Sequence, residues 1–261
     1  MLFRSGWDIG GVVEQAAADG SGPKVGTRVV GILGRGAWAQ RVAVPGNQLG
    51  VLPDNVSFEQ ASTLPVAGLT AHYALDKGGP LLGRKVMVTG ASGGVGLFAV
   101  ELAANAGAEV TGVVRQERYV DVVQQAGAHH VVVDGTSAAA AEFGPFNTIL
   151  ESVGGASLGN SLTMLAFGGV CVLFGGSAGN DGSIDIRKFF QAGRATLYGL
   201  GLFNEFGIQP ASVGLTRLAG LVGAGKVHPL ICVTEPRPAV ASVAQRLIDR
   251  DYPGKAVLLV D

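Results

Sequence analysis

Short apolar runs punctuated by glycine, proline and aspartate fill the first quarter of the chain. "GGVVEQ", "TRVVGIL", "WAQRVAV" and "QLGVLP" are β-rich runs of a few residues each, the form of short strands in a small barrel or sandwich. The stretch "SFEQASTLPVAGLTAHYAL" then takes up helical spacing. Ser57 with Gln60 has the form of a capping box, and Pro65 predicts a break between two helices.

From Arg84 the rhythm changes. The apolar runs "KVMVT", "EVTGVV", "HVVVD", "FNTILES", "GVCVLFG" and "ATLYGLGL" read as strands, and helical segments are predicted at 94–106, 117–126, 157–166, 185–192 and 211–224. Apolar strands alternating with helices predict an α/β fold with a doubly wound parallel sheet. After Lys226, "VHPLICV", a helix at 238–249 and "KAVLLV" return to a mixed pattern. The predicted organisation is residues 1–75, a nucleotide-binding domain at 76–226, and a tail at 227–261 that packs back on the first domain.

One turn carries chemistry. Strand "KVMVT" runs into Gly90-Ala91-Ser92-Gly93-Gly94-Val95-Gly96, where a helix begins. Glycines there permit a tight turn and close approach of a pyrophosphate, and a helix N-terminus offers free N–H groups and a positive dipole end. The strand–turn–helix–strand context is what separates a dinucleotide site from an ordinary turn. An NAD site would place an acid at the end of the next strand, to accept from the ribose 2′-hydroxyl. Here Val114 stands in that place, followed by Arg115 and Arg118. Two guanidiniums without a carboxylate suit a 2′-phosphate and hence NADP(H), the alternative being two solvated surface arginines.

Thr89 to Gly96 also fits the T-G-x-x-x-G-x-G of short-chain dehydrogenases, which pair it with a downstream Y-x-x-x-K. Tyr73 and Lys77 form that spacing but lie upstream of the turn, so this family is rejected.

Composition narrows the classes. Of 261 residues, 48% are hydrophobic and only 15% charged, which gives ample material for a core. Lys plus Arg is 19 against Asp plus Glu 20, a balance with no field to attract nucleic acid or an acidic membrane. The 42 glycines fall at the ends of apolar runs rather than in a repeat. Cys171 and Cys232 each sit in an apolar run and read as buried thiols of a reducing cytosol. Ser152 to Asn180 carries no charge and has the length of a membrane span, but Gly154-Gly155, Gly168-Gly169 and Gly175-Gly176 divide it. A helix followed by a strand covered on both faces is the reading, so no membrane association is expected.

"GWDIGGVV", "GTRVVGI", "GAWAQRVAVP", "LPDNVSFEQASTLPVAGLTAHYAL", "GASGGVG" and "GKAVLLV" together resemble the medium-chain dehydrogenase/reductases, in their zinc-independent, quinone oxidoreductase-like branch. The resemblance runs from Gly6 to Asp261. It implies a GroES-like catalytic domain beside a Rossmann domain, with NADPH between them. In such relatives several dozen residues of β-structure precede the first of these motifs. Only "MLFRS" does so here, so the GroES-like barrel is expected to be partial and the chain to lack the family's N-terminal segment.

The resemblance also implies site residues. Thr70, Ser152-Val153-Gly154, Phe174 and Gly175, and Leu202 and Phe203 match segments that face the nicotinamide half. Phe174 and Phe203 fit plain core packing equally well. Zinc-dependent relatives carry Gly-His-Glu where this chain has Gly6-Trp7-Asp8, and their four-cysteine lobe has no counterpart. His72, His129, His130 and His228 have no ligand spacing with either cysteine and read as solvated or locally hydrogen-bonded, so no metal is expected. Without a Lewis acid, the expected acceptors are quinones and α,β-unsaturated carbonyls. No residue is identified as the proton donor, Tyr73 and Asn204 being the candidates. A polyketide-type enoyl reductase and a non-catalytic NADPH-binding regulator are the alternatives. A cytoplasmic homodimer, paired through the "TLYGLGLF" edge, completes the expectation.

Overall fold

The computed structural model describes residues 5–260; Met1 to Arg4, most of the "MLFRS" opening, lie outside the described residues. The chain forms two compact units, one running through Thr70 and resuming at Leu202, the other Ala71–Gly201.

The first unit opens with β1 (Asp8–Val12), β2 (Arg28–Ile32) and β3 (Leu49–Val51), an antiparallel sheet ordered β1-β2-β3. Val30 and Ile32 of β2 are fully buried. The Arg28 guanidinium donates to the carbonyls of Pro53, Asp54 and Val56 at 3.0, 2.8 and 2.6 Å and lies 4.7 Å from the Phe58 ring centroid. It thereby ties the sheet to the segment that leads into α1 (Phe58–Ser62). The strand expected over "WAQRVAV" is absent. Residues 38–44 form no ladder and Trp38 is exposed, because an alternating pattern becomes a strand only where a neighbouring edge accepts its hydrogen bonds.

The capping box is present: Gln60 N–H donates to Ser57 Oγ at 3.2 Å and Ser57 N–H to Gln60 Oε1 at 3.0 Å. Pro65 lies between two helices, as expected, but the link is a helical turn of wider pitch rather than an open break. A π-helical turn over Leu64–Gly68 carries the chain from α1 into α2 (Leu69–Gly78). Proline lacks an N–H and opens the ladder, and one extra residue in the turn absorbs it. The neighbouring Val66 N–H donates instead to Asp8 Oδ1 at 2.8 Å.

The second unit is built on β4 (Lys85–Thr89), β5 (Glu109–Val114), β6 (His130–Val133), β7 (Phe146–Glu151), β8 (Leu165–Leu173) and β9 (Thr196–Gly199). All neighbours pair in parallel, in the order β6-β5-β4-β7-β8-β9, which is the doubly wound order of a Rossmann sheet. The intervening helices include α3 (Gly94–Asn105), α4 (Val120–Gln125), α5 (Gly155–Thr163) and α6 (Ile186–Gln191). Met87, Phe146, Ile149, Leu162 and Cys171 form its core, each all but withdrawn from water. Each such aliphatic or aromatic side chain contributes on the order of 2 kcal/mol of transfer free energy. The charge-free stretch divides into α5 and β8, and no helix among the described residues is long and apolar enough to cross a membrane.

The chain then re-enters the first unit through α7 (Leu202–Glu205), α8 (Ala211–Gly223), β10 (Ile231–Pro236), α9 (Val240–Ile248) and β11 (Lys255–Leu259). β10 and β11 make a separate parallel pair. The sequence places α8 inside 76–226, whereas it packs on β3 in the first unit. Gly50 makes this contact possible: a Cβ there would lie 2.8 Å from Leu215 Cβ. Asn55 Nδ2 donates to Gly223 O at 2.7 Å and holds the far end. The apolar spacing of α8 marks one buried face but not the surface that buries it.

Candidate functional site

The glycine turn lies where β4 ends and α3 begins. Gly90 has φ +60°, the left-handed region, and turns the chain out of the strand. Gly96 serves close packing. A Cβ on it would lie 2.7 Å from Ala91 Cα and would overlap the Gly90 carbonyl. Leu97 N–H is the first to close a helical bond, onto Gly93 O at 3.0 Å. The N–H groups of Gly94, Val95 and Gly96 ahead of it have no intrahelical partner, and Ala91, Ser92 and Gly93 form the turn above them. This bare backbone cradle fits a pyrophosphate, and a side chain at Gly96 would push apart the turn that forms it.

Beside the turn, β7 ends in a dense polar junction. Ser152 N–H donates to Thr89 Oγ1 at 2.9 Å, and Ser152 Oγ donates to Thr89 O at 3.0 Å. The Ser152 and Val153 carbonyls accept from Ser177 and Ala178 N–H at 3.2 and 2.7 Å, and the Gly154 carbonyl from Leu158 N–H at 3.3 Å. The Val153 and Gly154 N–H groups both donate to the carboxylate of Glu151. Every main-chain polar group of Ser152–Gly154 is therefore spent inside the protein. The segment offers a fixed floor rather than hydrogen bonds. Phe174 and Gly175, beyond β8, are half-buried, and their carbonyls accept no backbone bond among the described residues.

Glu151 went unnoticed in the sequence. It is fully buried at the end of β7. Ser157 Oγ donates to its Oε1 at 2.8 Å and itself meets Ser137 Oγ at 2.7 Å, while Thr89 Oγ1 approaches Oε1 at 3.3 Å. The signal for it was a lone acid ending the apolar run "FNTILE". Burial, and next the negative charge of Glu151, push the Cys171 thiol well above the usual range.

Arg115 and Arg118 are exposed on the loop that follows β5, with the Arg118 guanidinium 4.8 Å from the Tyr119 ring centroid. Beside the end of β5, Asp134 follows β6, and its oxygens accept from Thr136 N–H, Thr136 Oγ1 and Ala139 N–H at 2.7, 2.8 and 2.9 Å. Burial alone would raise this carboxyl, but those donors together hold it below the usual aspartate range.

The remaining site residues lie in the first unit. Thr70 is buried and its hydroxyl donates back to Val66 O at 2.6 Å. Leu202 and Phe203 begin α7, and the Phe203 ring meets Trp7 edge-on at 5.9 Å and Phe206 at 5.5 Å. Asn204 is exposed and Tyr73 buried. Lys77 Nζ lies 4.9 Å from the Tyr198 ring centroid, a cation–π contact unrelated to the Y-x-x-x-K role.

His72 faces Asp76 at 3.6 Å, His129 Nδ1 accepts from Val110 N–H at 3.1 Å, and His130 stacks on Phe143 and faces Glu109 at 3.4 Å. Among the described residues no group of three or more His, Cys, Asp or Glu is arranged to hold a metal ion.

The family described as zinc-binding dehydrogenase matches residues 94–211. A quinone oxidoreductase of Pongo abelii is 27% identical over 269 residues, covering 99% of this chain and 80% of that protein. A polyketide synthase of Streptomyces halstedii is 34% identical over 209 residues, covering 79% of this chain but 4% of its own length. Among solved structures, a mycobacterial protein complexed with NADPH superposes with a TM-score of 0.88 at 27% identity, covering 99% of this chain and 83% of that one.

Proposed function

The chain belongs to the medium-chain dehydrogenase/reductase superfamily, in its quinone oxidoreductase-like branch, and on that premise we propose an NADPH-dependent, zinc-independent reductase of quinones or α,β-unsaturated carbonyls. The observation that carries this reading is the bare glycine cradle at the head of α3, with Val114 where an NAD site would hold an acid and Arg115 and Arg118 following it.

When bound, NADPH supplies the hydride. The chain's own residues then hold and orient. The Gly94, Val95 and Gly96 N–H groups meet the pyrophosphate. Arg115 and Arg118 grip the 2′-phosphate. Ser152, Val153 and Gly154 form the fixed floor, the carbonyls of Phe174 and Gly175 accept from the carboxamide, and Thr70, Leu202 and Phe203 line the acceptor side. Catalysis is mainly positioning. An electron-poor acceptor needs no Lewis acid, because hydride adds at a carbon conjugated to the carbonyl and the product takes its proton from water.

A homodimer fits the exposed edge: β9 ends the sheet, and Phe167, Ile186, Phe190 and Leu197 are exposed apolar side chains of the same unit. The unpaired thiols Cys171 and Cys232 favour a reducing cytoplasm.

A second reading, a polyketide-type enoyl reductase, draws on the Streptomyces halstedii relative. Titration with NADPH and NADH, followed by turnover of a quinone, a simple enone and an enoyl thioester, tests both. Turnover confined to the thioester would favour the second reading. NADPH binding without turnover of any acceptor would favour a regulatory nucleotide-binding protein.

A further inference from the structure

Among the described residues, Glu151 is the one fully buried carboxylate at the carboxyl ends of the strands that the proposed chemistry does not use. The donors it meets are neutral: Val153 N–H at 3.1 and 3.2 Å from its two oxygens, Gly154 N–H at 2.9 Å, Ser157 Oγ at 2.8 Å and Thr89 Oγ1 at 3.3 Å. A buried carboxylate is expensive to desolvate, and an apolar residue at this position would pack with less penalty. Its partners indicate what it does there. Two of the three N–H groups of the Ser152–Gly154 segment end on Glu151, and the third ends on Thr89, whose hydroxyl is shared between Glu151 Oε1 and the Leu150 carbonyl at 3.3 Å each. Thr89 immediately precedes Gly90. A single side chain thus links the floor segment to the glycine turn, across the junction of β7 and β4.

We propose that Glu151 is a positioning residue for the cofactor site, setting the Ser152–Gly154 segment against the Thr89–Gly90 turn by accepting from both. The proposal rests on the NADPH reading above, and it separates the two ends of the network. The N–H groups that hold the floor are that of Gly154, on Oε2, and that of Val153, shared between the two oxygens. The Ser157–Ser137 end only satisfies the rest of the carboxylate.

Two substitutions exploit that asymmetry. Glu151→Leu keeps the volume and leaves two buried N–H groups without an acceptor. Glu151→Gln can keep its amide oxygen at the Oε2 position, where it still accepts from Gly154 and Val153 N–H, and turn its NH2 toward the Thr89 and Ser157 hydroxyls, which are able to accept, losing only the Val153 contact at Oε1. Ser157→Ala deletes a buried hydrogen bond at the far end while leaving Val153 and Gly154 held.

The full-length chain and its three variants are compared by NADPH fluorescence titration, urea unfolding and amide hydrogen exchange at residues 152–154. Orphaning buried N–H groups makes the expected effect for Glu151→Leu a rise of at least about tenfold in the NADPH Kd, with faster exchange at Val153 and Gly154. Glu151→Gln is expected to stay within about threefold of wild type, and Ser157→Ala to lose stability while binding normally. Affinity that follows the urea midpoint across all three variants, or Glu151→Leu binding like wild type, would overturn the proposal. If Glu151→Leu does not fold, Glu151→Asp replaces it, since the shorter carboxylate withdraws from Gly154, and the same loss is expected. A wild-type chain that binds no NADPH would defeat the cofactor reading instead. Exchange at Val153 and Gly154 unchanged in Glu151→Leu would then overturn the positioning role independently.

Discussion

Ser152 and Thr89 clasp one another: the N–H of Ser152 donates to the Thr89 hydroxyl at 2.9 Å, and the Ser152 hydroxyl donates to the Thr89 carbonyl at 3.0 Å. The two residues are 63 positions apart in the chain and end neighbouring parallel strands. Removing one side of this reciprocal pair does not equal removing the other. Ser152→Ala deletes a hydroxyl donor and is expected to lower stability by about 1 kcal/mol in urea unfolding. Thr89→Val, similar in shape, leaves the Ser152 N–H without an acceptor in a part-buried site, and a loss of about 1–3 kcal/mol is expected. Equal effects would mean that water replaces the Thr89 hydroxyl.

Glycine is expected to matter differently at two helical positions. At Gly96 an alanine Cβ would meet the backbone of Gly90 and Ala91. Backbone cannot move aside as a flexible side chain can, so a destabilisation of about 1–3 kcal/mol is expected together with loss of NADPH binding. At Gly220, in the middle of α8, an added Cβ meets nothing within 4 Å. Gly220→Ala is expected to stabilise by about 0.5–1 kcal/mol, because helical glycine loses more chain entropy on folding. Thermal unfolding of the two variants checks both signs.

Nucleotide preference is expected to reside in the loop after β5. Arg115→Ala and Arg118→Ala each remove a guanidinium from the 2′-phosphate, and a charge-assisted hydrogen bond of about 1.5–3 kcal/mol corresponds to a rise of about tenfold or more in the NADPH Kd. The NADH Kd is expected to stay unchanged. Parallel titrations read the ratio directly, and equal loss for both nucleotides would place the arginines elsewhere on the cofactor.

The two cysteines are expected to behave differently toward a thiol reagent. Cys171 is buried beside Glu151 and its thiol is held well above the usual range, while Cys232, expected from its apolar run to be buried, is exposed on β10, where strand residues alternate between faces, and only partial burial raises it. Thiolate is the reactive form. The folded protein is therefore expected to titrate one thiol, faster as pH rises, and the unfolded protein two.

Acid stability has two opposed contributors. Asp134 is held below the usual range in the folded protein by its hydrogen bonds, so the unfolded chain binds its proton first. Its contribution is present above the unfolded value and is lost as pH falls through the lower folded value. Asp8 is raised, by burial against the opposing effects of Lys255 and the Val66 N–H. The folded state then binds the proton more tightly, and stability declines as pH rises from the unfolded value through the raised folded one. Urea midpoints across acid pH are expected to lose the first dependence in Asp134→Ala and the second in Asp8→Asn.

Much of this architecture was legible in the chain because it is locally encoded. The capping box of Ser57 and Gln60 closes within four residues, and the turn from Gly90 to Gly96 announces itself by spacing. Five of the six parallel strands lie within the apolar runs that marked them, and β8 begins four residues ahead of its run, at Leu165. Where a partner was needed, reading failed. "WAQRVAV" has the alternation of a strand without an edge to pair with, and Pro65 bends into a π turn because Asp8, far away in sequence, takes up the Val66 N–H.

The sequence by itself determined the α/β class, the glycine cradle and the valine in place of an acid at the end of β5, since periodicity and backbone chemistry are properties of neighbouring residues. Only the tertiary structure decided that α8 belongs with β3, that the Ser152–Gly154 main chain is already satisfied, and that Glu151 is what satisfies its N–H groups. Those outcomes depend on which distant atoms meet in a desolvated interior. There an unpaired N–H is costly enough to dictate its partner, and nothing in the local pattern records which partner that will be.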